Sequence, residues 1–432
     1  MKIAFVGAGS YVFGPSMLTQ IYLEQGLENV HLALVDPDLE TIDLLAAAGR
    51  RLASERGITT TITAHTDRVE ALDGAEFVIC SASPQMQRRF SMDTRIIDEY
   101  IPGHLKTEFG GIAGISYSLR QIALIEAITD DMRRFCPSAW LLDVANPLPR
   151  VVQAAQENGI KAAGFCVVAL TVYAFLWDIF RGGWLDFPFA AGAQEWQITT
   201  AGLNHFAWLV ELRERSTGTD LLPILRERVS AGDASRANPR AQQYLRETGY
   251  LLVPGDDHTR DFLTPLRGKA SVAESPWHGN PLQRQERHEL LRQIAAGTSP
   301  WKELQTNEAW EKPGQFIDAL TGGAPALFRS LNLLNDGRQI TNLPPNVFVE
   351  TPCQVSRGRV EPQELTLPES VLSLTRRTAQ VTDTIVRAAR ARSRTRVHKA
   401  VQLDPTILDK PAGVRAIDAC LAAHADMLPV YS

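Results

Sequence analysis

The first fourteen residues, Met1 to Gly14 (MKIAFVGAGSYVFG), constrain the fold more than any other stretch. Lys2 to Val6 is a short apolar, β-rich run suited to a buried parallel strand. Gly7 and Gly9 follow at once, with Ser10 in the same turn, and an apolar helical pattern begins near Met17. Strand, glycine turn and helix in that order open a dinucleotide-binding βαβ unit. The glycines let the backbone approach a pyrophosphate, and the helix N-terminus supplies N–H groups and partial positive charge. The third glycine of the G-x-G-x-x-G fingerprint is missing. Val12 holds its place, and Gly14 comes two residues later.

The sequence that follows agrees with this start. Val30 to Asp36 (VHLALVD) reads as a second strand ending in an acid, placed where an acid takes the adenosine ribose hydroxyls. An acid at that point repels a 2′-phosphate, which favours NAD over NADP. Glu76 to Ser81 and Ala139 to Ala145 read as further buried strands with helical stretches between them. The expected fold class is α/β, a Rossmann-like doubly wound nucleotide domain over residues 1–165. A C-terminal α+β substrate and oligomerisation domain over 166–432 follows, since 432 residues are too many for one core.

Composition restricts the partners. Apolar residues at 44% and charged residues at 22% fit a soluble globule, and a net charge of −5 gives no reason to expect nucleic acid or a membrane surface. No apolar run is long enough to span a bilayer, and Met1 runs into the first strand with no signal peptide before it. Cys80, Cys136, Cys166, Cys353 and Cys420 are scattered and contain no C-x-x-C, which argues against a disulfide scaffold and for a reducing cytoplasm.

Between the strands, Phe90 to Glu108 is polar and expected to line a cleft. Phe109 to Ile115 reads as a flexible turn entering a helix over 116–135. Beyond Glu195 the pattern changes to antiparallel strands, Glu195 to Ala201 and Trp208 to Arg213, around the turn Gly202 to Phe206. Residues 216–245 read as helical, 264–300 have no readable period, and Leu343 to Pro352 is a strand with proline-rich flanks. A long helix is expected over 366–396 and an amphipathic one over 411–427, the latter a candidate interface. The arginine-rich stretch from Arg387 to Arg396 reads as a solvated helix face.

Three groups of residues could carry chemistry. Cys166 and His205 offer a thiolate and an imidazole, which suit a borderline divalent cation and leave coordination positions open for substrate oxygens. Arg88, Arg89 and Arg95, with Lys106 behind them, suit a bidentate anion such as phosphate, carboxylate or sulfonate, although Asp93, Asp98 and Glu99 lie close enough to pair with them. Tyr250 to Asp261 packs a tyrosine, acids and a histidine around a Pro-Gly turn.

In order along nearly the whole chain come Gly7-Ala-Gly-Ser10, Arg88 and Arg95 before Asp98-Glu99-x-Ile-Pro102, Glu108-Phe-Gly-Gly111 and Leu119-Arg120. Asn146-Pro147, Gly164-Phe-Cys166, Gly202-Leu-Asn-His205, Gly255-Asp-Asp-His258 and Asn342-Leu-Pro-Pro through Val349-Glu-Thr-Pro352 follow. This ordered set resembles the NAD- and metal-dependent glycosidases of glycoside hydrolase family 4. The resemblance implies a redox-neutral hydrolysis outside the two-carboxylate scheme. A sugar carbon, C3, is oxidised, the C2 proton is removed, the aglycone leaves, water adds and the hydride returns.

It further implies NAD on Gly7, Gly9, Ser10, Asp36 and Asn146, and a divalent metal, manganese in relatives, on Cys166 and His205. Asn146 and His205 would touch the sugar. Val167 departs from the polar residue that many relatives carry after the metal cysteine, so the acid must come from elsewhere. The family's base is a tyrosine. Tyr250 is the candidate, with Tyr244 next and Asp256 and His258 in the same polar segment. The arginines Arg88, Arg89 and Arg95 imply an anionic glycoside: a sulfoquinovoside, a uronide or a 6-phosphoglycoside. Relatives imply a homodimer or homotetramer. The rival readings are an NAD-dependent dehydrogenase of lactate or malate type, or one acting on a sugar acid, and a non-catalytic NAD-binding regulator.

Overall fold

The computed structural model describes residues 1–183, 189–232, 238–265, 281–304, 311–336 and 339–432. Six parallel strands form its first half: β1 (Lys2–Val6), β2 (Val30–Val35), β3 (Thr60–His65), β4 (Phe77–Cys80), β5 (Trp140–Asp143) and β6 (Lys161–Gly164). Their spatial order is β3-β2-β1-β4-β5-β6, the doubly wound order in which the chain reverses direction between β1 and β4. These strands are apolar along their length because helices cover both faces. Ile3, Phe5, Leu32 and Leu34 pack to one side, and Ala4, Ala33 and Val78 to the other.

The sheet does not stop at β6. It continues through β10 (Ala326–Leu334), β11 (Phe348–Ser356), β7 (Trp196–Leu203), β8 (Phe206–Glu214) and β9 (Leu251–Val253), with β12 (Arg359–Pro362) paired to β11. All of these later pairs are antiparallel. The helices Glu369–Arg390, Arg394–Leu403 and Lys410–Ala423 return to the first half. Val381, Ile385, Val401 and Ile417 share one core with Val78, Ile115 and Leu141. A cut at residue 165 would divide that core. The apolar face of the last helix, expected at an interface, is buried within the chain, where Ala416, Ile417 and Cys420 are inaccessible.

The stretch read as a polar cleft lining contains a helix, Met86–Tyr100. It is anchored by a buried ion cluster that composition could not reveal. Asp93 accepts from Arg120 Nη2 at 2.7 Å and from Ser116 Oγ at 2.8 Å, and lies 2.8 Å from His424 Nε2. Burial pushes the Asp93 carboxyl up, but the His424 and Arg120 contacts outweigh it and hold the group below the usual carboxylate range. The turn expected to be flexible is instead packed solid, with the helix beginning at Gly111. A Cβ on Gly110 would sit 2.3 Å from the Asp261 carbonyl oxygen, so the glycine serves close approach.

The long helix expected over 366–396 breaks after Arg390, where Arg392 takes a left-handed backbone (φ 49°). The arginines around it pair with acids, Arg387 with Asp383, Arg390 with Glu126 and Glu157, Arg394 with Asp418, as a solvated face does. The unreadable stretch 264–300 contains the helix Pro281–Ala296, and its residues 266–280 lie outside the described set. Among the described residues, no helix is long and apolar enough to cross a membrane.

Candidate active site

The crevice where β1 and β4 part is built as the glycine fingerprint requires. Gly7 has φ +86°, and a Cβ on it would lie 2.7 Å from the Ala82 backbone nitrogen. Ser81 Oγ donates to the Gly7 carbonyl at 2.9 Å, tying the two strand ends together. Asp36 follows β2 and accepts from the Gly9 N–H at 3.0 Å and from the Asp38 N–H at 3.0 Å. Burial raises its carboxyl against those two hydrogen bonds. Ser10 Oγ accepts from the Phe13 N–H at 3.2 Å and stiffens the turn. Gly14 does the packing work of the missing third glycine, since a Cβ there would meet the Ala8 carbonyl at 2.6 Å. Close backbone approaches at Gly7, Gly9 and Gly14 at the end of β1, with an acid one strand over, fit the NAD fingerprint.

At the carboxyl end of β6, Cys166 Sγ lies 3.6 Å from His205 Nε2. Cys166 is partly exposed, whereas the other four cysteines are buried, and all five are free. His205 occupies the two-residue turn between β7 and β8 with a left-handed backbone (φ 61°). Its ring stacks on Phe109 at 4.3 Å and meets the His258 ring edge-on at 5.0 Å. Burial first, then His258, lowers the His205 imidazole well below its ordinary value. Burial, then the Glu350 and Glu311 carboxyls, push the Cys166 thiol up.

The pair suits a metal. A thiolate and an imidazole 3.6 Å apart would offer two donors to a single borderline divalent cation. Among the described residues, no group of three or more His, Cys, Asp or Glu side chains gathers around one point.

His258 opens the second layer. Its Nδ1 lies 3.1 Å from Asp257 Oδ2. Burial would lower the imidazole, but the adjacent Asp257 carboxylate, with Asp261, reverses that and raises it. Asp261 itself is buried and pushed up to about 7 by burial. Asn146 donates from Nδ2 to Glu108 Oε2 at 2.7 Å, which orients its amide at the mouth of β5.

Other candidates are placed differently. Asp256 caps the helix Pro239–Thr248, accepting from the Arg240 N–H at 2.8 Å and the Ala241 N–H at 2.9 Å. Each of its oxygens accepts one backbone N–H there, so Asp256 serves as the cap of that helix. Tyr250 precedes β9, whose Leu251 and Val253 pair with Leu209 and Ala207. That register sets Tyr250 roughly 17 Å along β8 from His205, with its ring over the Arg226 guanidinium at 5.3 Å. Tyr244 packs edge-on against Trp208. Neither tyrosine is delivered to the pair. Arg89 is buried with both terminal nitrogens on Asp426, at 2.7 and 2.5 Å, and so leaves the anion candidates. Arg88 and Arg95 remain exposed on the helix Met86–Tyr100, and Lys106 pairs with Asp98 at 2.5 Å.

Two site neighbours carried no assigned role in the sequence. Asn204 and Glu350 are buried and joined by a 2.9 Å hydrogen bond. The available signal was a lone acid in the apolar strand FVETPCQVS, within the Val349 to Pro352 motif.

The sequence profile of Family 4 glycosyl hydrolase matches residues 2–181, and that of Family 4 glycosyl hydrolase C-terminal domain matches residues 200–407. The chain belongs to the family 4 glycosyl hydrolases. It is 27% identical over 449 residues to an alpha-galactosidase of Bacillus subtilis (strain 168), covering 100% of this chain and 99% of the relative. An alpha-galacturonidase of Thermoanaerobacter italicus is 24% identical over 84% of this chain and 82% of its own length. A 6-phospho-alpha-glucosidase from gut microorganisms, crystallised with NAD and Mn2+, superposes with a TM-score of 0.75. It is 20% identical and covers 100% of this chain and 99% of its own.

Proposed function

We propose that this chain is an NAD-dependent O-glycosidase that hydrolyses an anionic glycoside by a redox-neutral route. The sugar would be a uronide, a sulfoquinovoside or a 6-phosphoglycoside. The observation that carries the reading is the Cys166–His205 pair at 3.6 Å on the same sheet edge as the Gly9–Asp36 crevice, in a member of family 4.

When bound, NAD supplies a reversible hydride acceptor and the divalent metal a Lewis acid. Gly7, Gly9, Ser10 and Asp36 would hold the nucleotide, and Cys166 and His205 the ion. Asn146, fixed by Glu108, would orient sugar hydroxyls. His258 would hold a proton beside His205, with Asp257 behind it favouring the cationic ring. That placement supplies an acid where Val167 cannot. It also sets positive charge near an anionic sugar, and Arg88 and Arg95 would add to it. Relatives named for galacturonides and for maltose 6′-phosphate support an acidic substrate. A homodimer or homotetramer is proposed with it and is read by light scattering.

The test is aryl release from uronate, 6-sulfonate, 6-phosphate and neutral galactose glycosides, in both anomers, with manganese and with or without NAD. NAD-dependent release from one acidic class without NADH accumulation is the expected result. Steady NADH formation without aglycone release would replace the reading with a dehydrogenase. Release from the neutral galactoside alone would remove the acidic substrate.

A further inference from the structure

One row of residues crosses four strands. Gly164 of β6 lies opposite Asn332 of β10, Asn332 opposite Glu350 of β11, and Glu350 opposite Gly202 of β7. Cys166 leaves one end of this row just after Gly164. His205 leaves the other just after Gly202. Glu350 stands between them and is 1% exposed. Its Oε2 accepts from Asn204 Nδ2 at 2.9 Å and from Asn332 Nδ2 at 3.1 Å.

Each arm of this clamp reaches a ligand residue through the backbone: Asn204 immediately precedes His205, and Asn332 is in register with Gly164, two residues before Cys166. The left-handed backbone of His205 is a conformation that a non-glycine residue keeps only where its surroundings impose it.

Stability alone does not explain an acid here. A buried carboxyl is costly unless all its hydrogen-bonding capacity is met. Glu350 Oε1, Asn204 Oδ1 and Asn332 Oδ1 are all buried without a hydrogen-bond partner. The catalytic reading above gives none of the three a task.

We infer that Glu350 is the positioning residue of the metal centre. Its Oε2 gathers Asn204 and Asn332 and so holds Cys166 and His205 close enough, 3.6 Å apart, to share one divalent cation. The inference rests on the assignment of Cys166 and His205 as metal ligands. Partners that orient metal ligands typically cost 10–100-fold in metal affinity when removed.

The experiment titrates Co2+ into the full-length protein with NAD present and follows the thiolate-to-cobalt charge-transfer absorption. NAD affinity and thermal unfolding are measured alongside. Glu350→Ala is expected to bind Co2+ roughly 10–100-fold more weakly, with NAD affinity within about twofold of the wild type. Glu350→Gln keeps an oxygen acceptor for both asparagines and is expected to restore Co2+ affinity to within about threefold.

Wild-type affinity and an unchanged band in Glu350→Ala would overturn the inference alone. So would a folded Glu350→Gln as impaired as Glu350→Ala, because charge rather than position would then be at work. If Glu350→Ala does not fold, Asn332→Ala decides: about tenfold weaker Co2+ binding supports the clamp, and unchanged binding overturns it. A wild type without the band, or Cys166→Ser that retains it, overturns the metal assignment and the inference with it.

Discussion

The nucleotide crevice and the Cys166/His205 centre share one edge of one sheet but are assembled in opposite ways. The crevice needs three short pieces from the first 82 residues: the glycine turn, Asp36 and the end of β4. Adjacent parallel strands bring them together. The centre draws on β6, the β7–β8 turn, β10, β11 and the segment around His258. Its geometry is a product of long-range register. A site made from local pieces should fail locally when altered, and a site made from register should be sensitive to residues that never touch the reaction.

The largest effect should fall on the centre. Cys166→Ser is expected to lower turnover about a thousandfold, the scale of several kcal/mol of Lewis-acid stabilisation. NAD affinity, read by fluorescence titration, should stay within about twofold. Equal losses in both would mean that the two regions are one structural unit. Asp36→Ala probes the other side. Loss of hydrogen bonds to a charged group is expected to raise the NAD dissociation constant roughly 10–30-fold. Turnover at saturating NAD should stay within about threefold. A large fall in saturated turnover would show that Asp36 acts beyond NAD binding.

Acid titration gives the buried carboxyls contributions of opposite sign. Burial holds Glu350 up to about 7, against about 4.3 for an unperturbed Glu. The folded state therefore binds the proton more tightly. Its stabilising contribution is complete below the unfolded value and is lost as pH rises through about 7, roughly 4 kcal/mol in all. Asp261, also pushed up to about 7 by burial, acts in the same window. Asp93 has the opposite sign, because its folded value is lowered. Its contribution is complete above about pH 4 and is lost only as pH falls through that lower value. Denaturant unfolding of the metal-free protein between pH 4 and 7 should thus include a contribution from Glu350, and Glu350→Gln should remove part of the slope. An identical slope in that variant would contradict the assignment.

The smallest effect is expected at Asp256. Asp256→Asn can still cap the helix Pro239–Thr248, so it should cost about 1 kcal/mol of stability or less. Turnover should stay within about threefold. A thousandfold loss would return Asp256 to the catalytic group.

The same contrast governs what the sequence made legible. Gly7, Gly9 and Asp36 were readable because spacing along one βαβ unit determines their contact. Cys166 and His205, 39 positions apart, were paired only through resemblance to a family, since no local period connects them. Tyr250 and Asp256 looked chemical because polar residues cluster around a Pro-Gly turn. The register of β9 on β8 carries Tyr250 away from His205, while the backbone of a neighbouring helix takes both Asp256 oxygens. Arg89 looked like its neighbours Arg88 and Arg95, and only the fold reveals Asp426 beside it, 337 positions away. Glu350 was hidden for the same reason, because its partners Asn204 and Asn332 come from other strands.

The central claim is a hydrolysis that borrows and returns a hydride, and its most direct test is hydrolysis of the accepted glycoside in D2O with NAD and manganese. The account expects deuterium at C2 of the released sugar, no net NADH, and no release when NAD is omitted. Product sugar with hydrogen retained at C2, formed equally well without NAD, would contradict it.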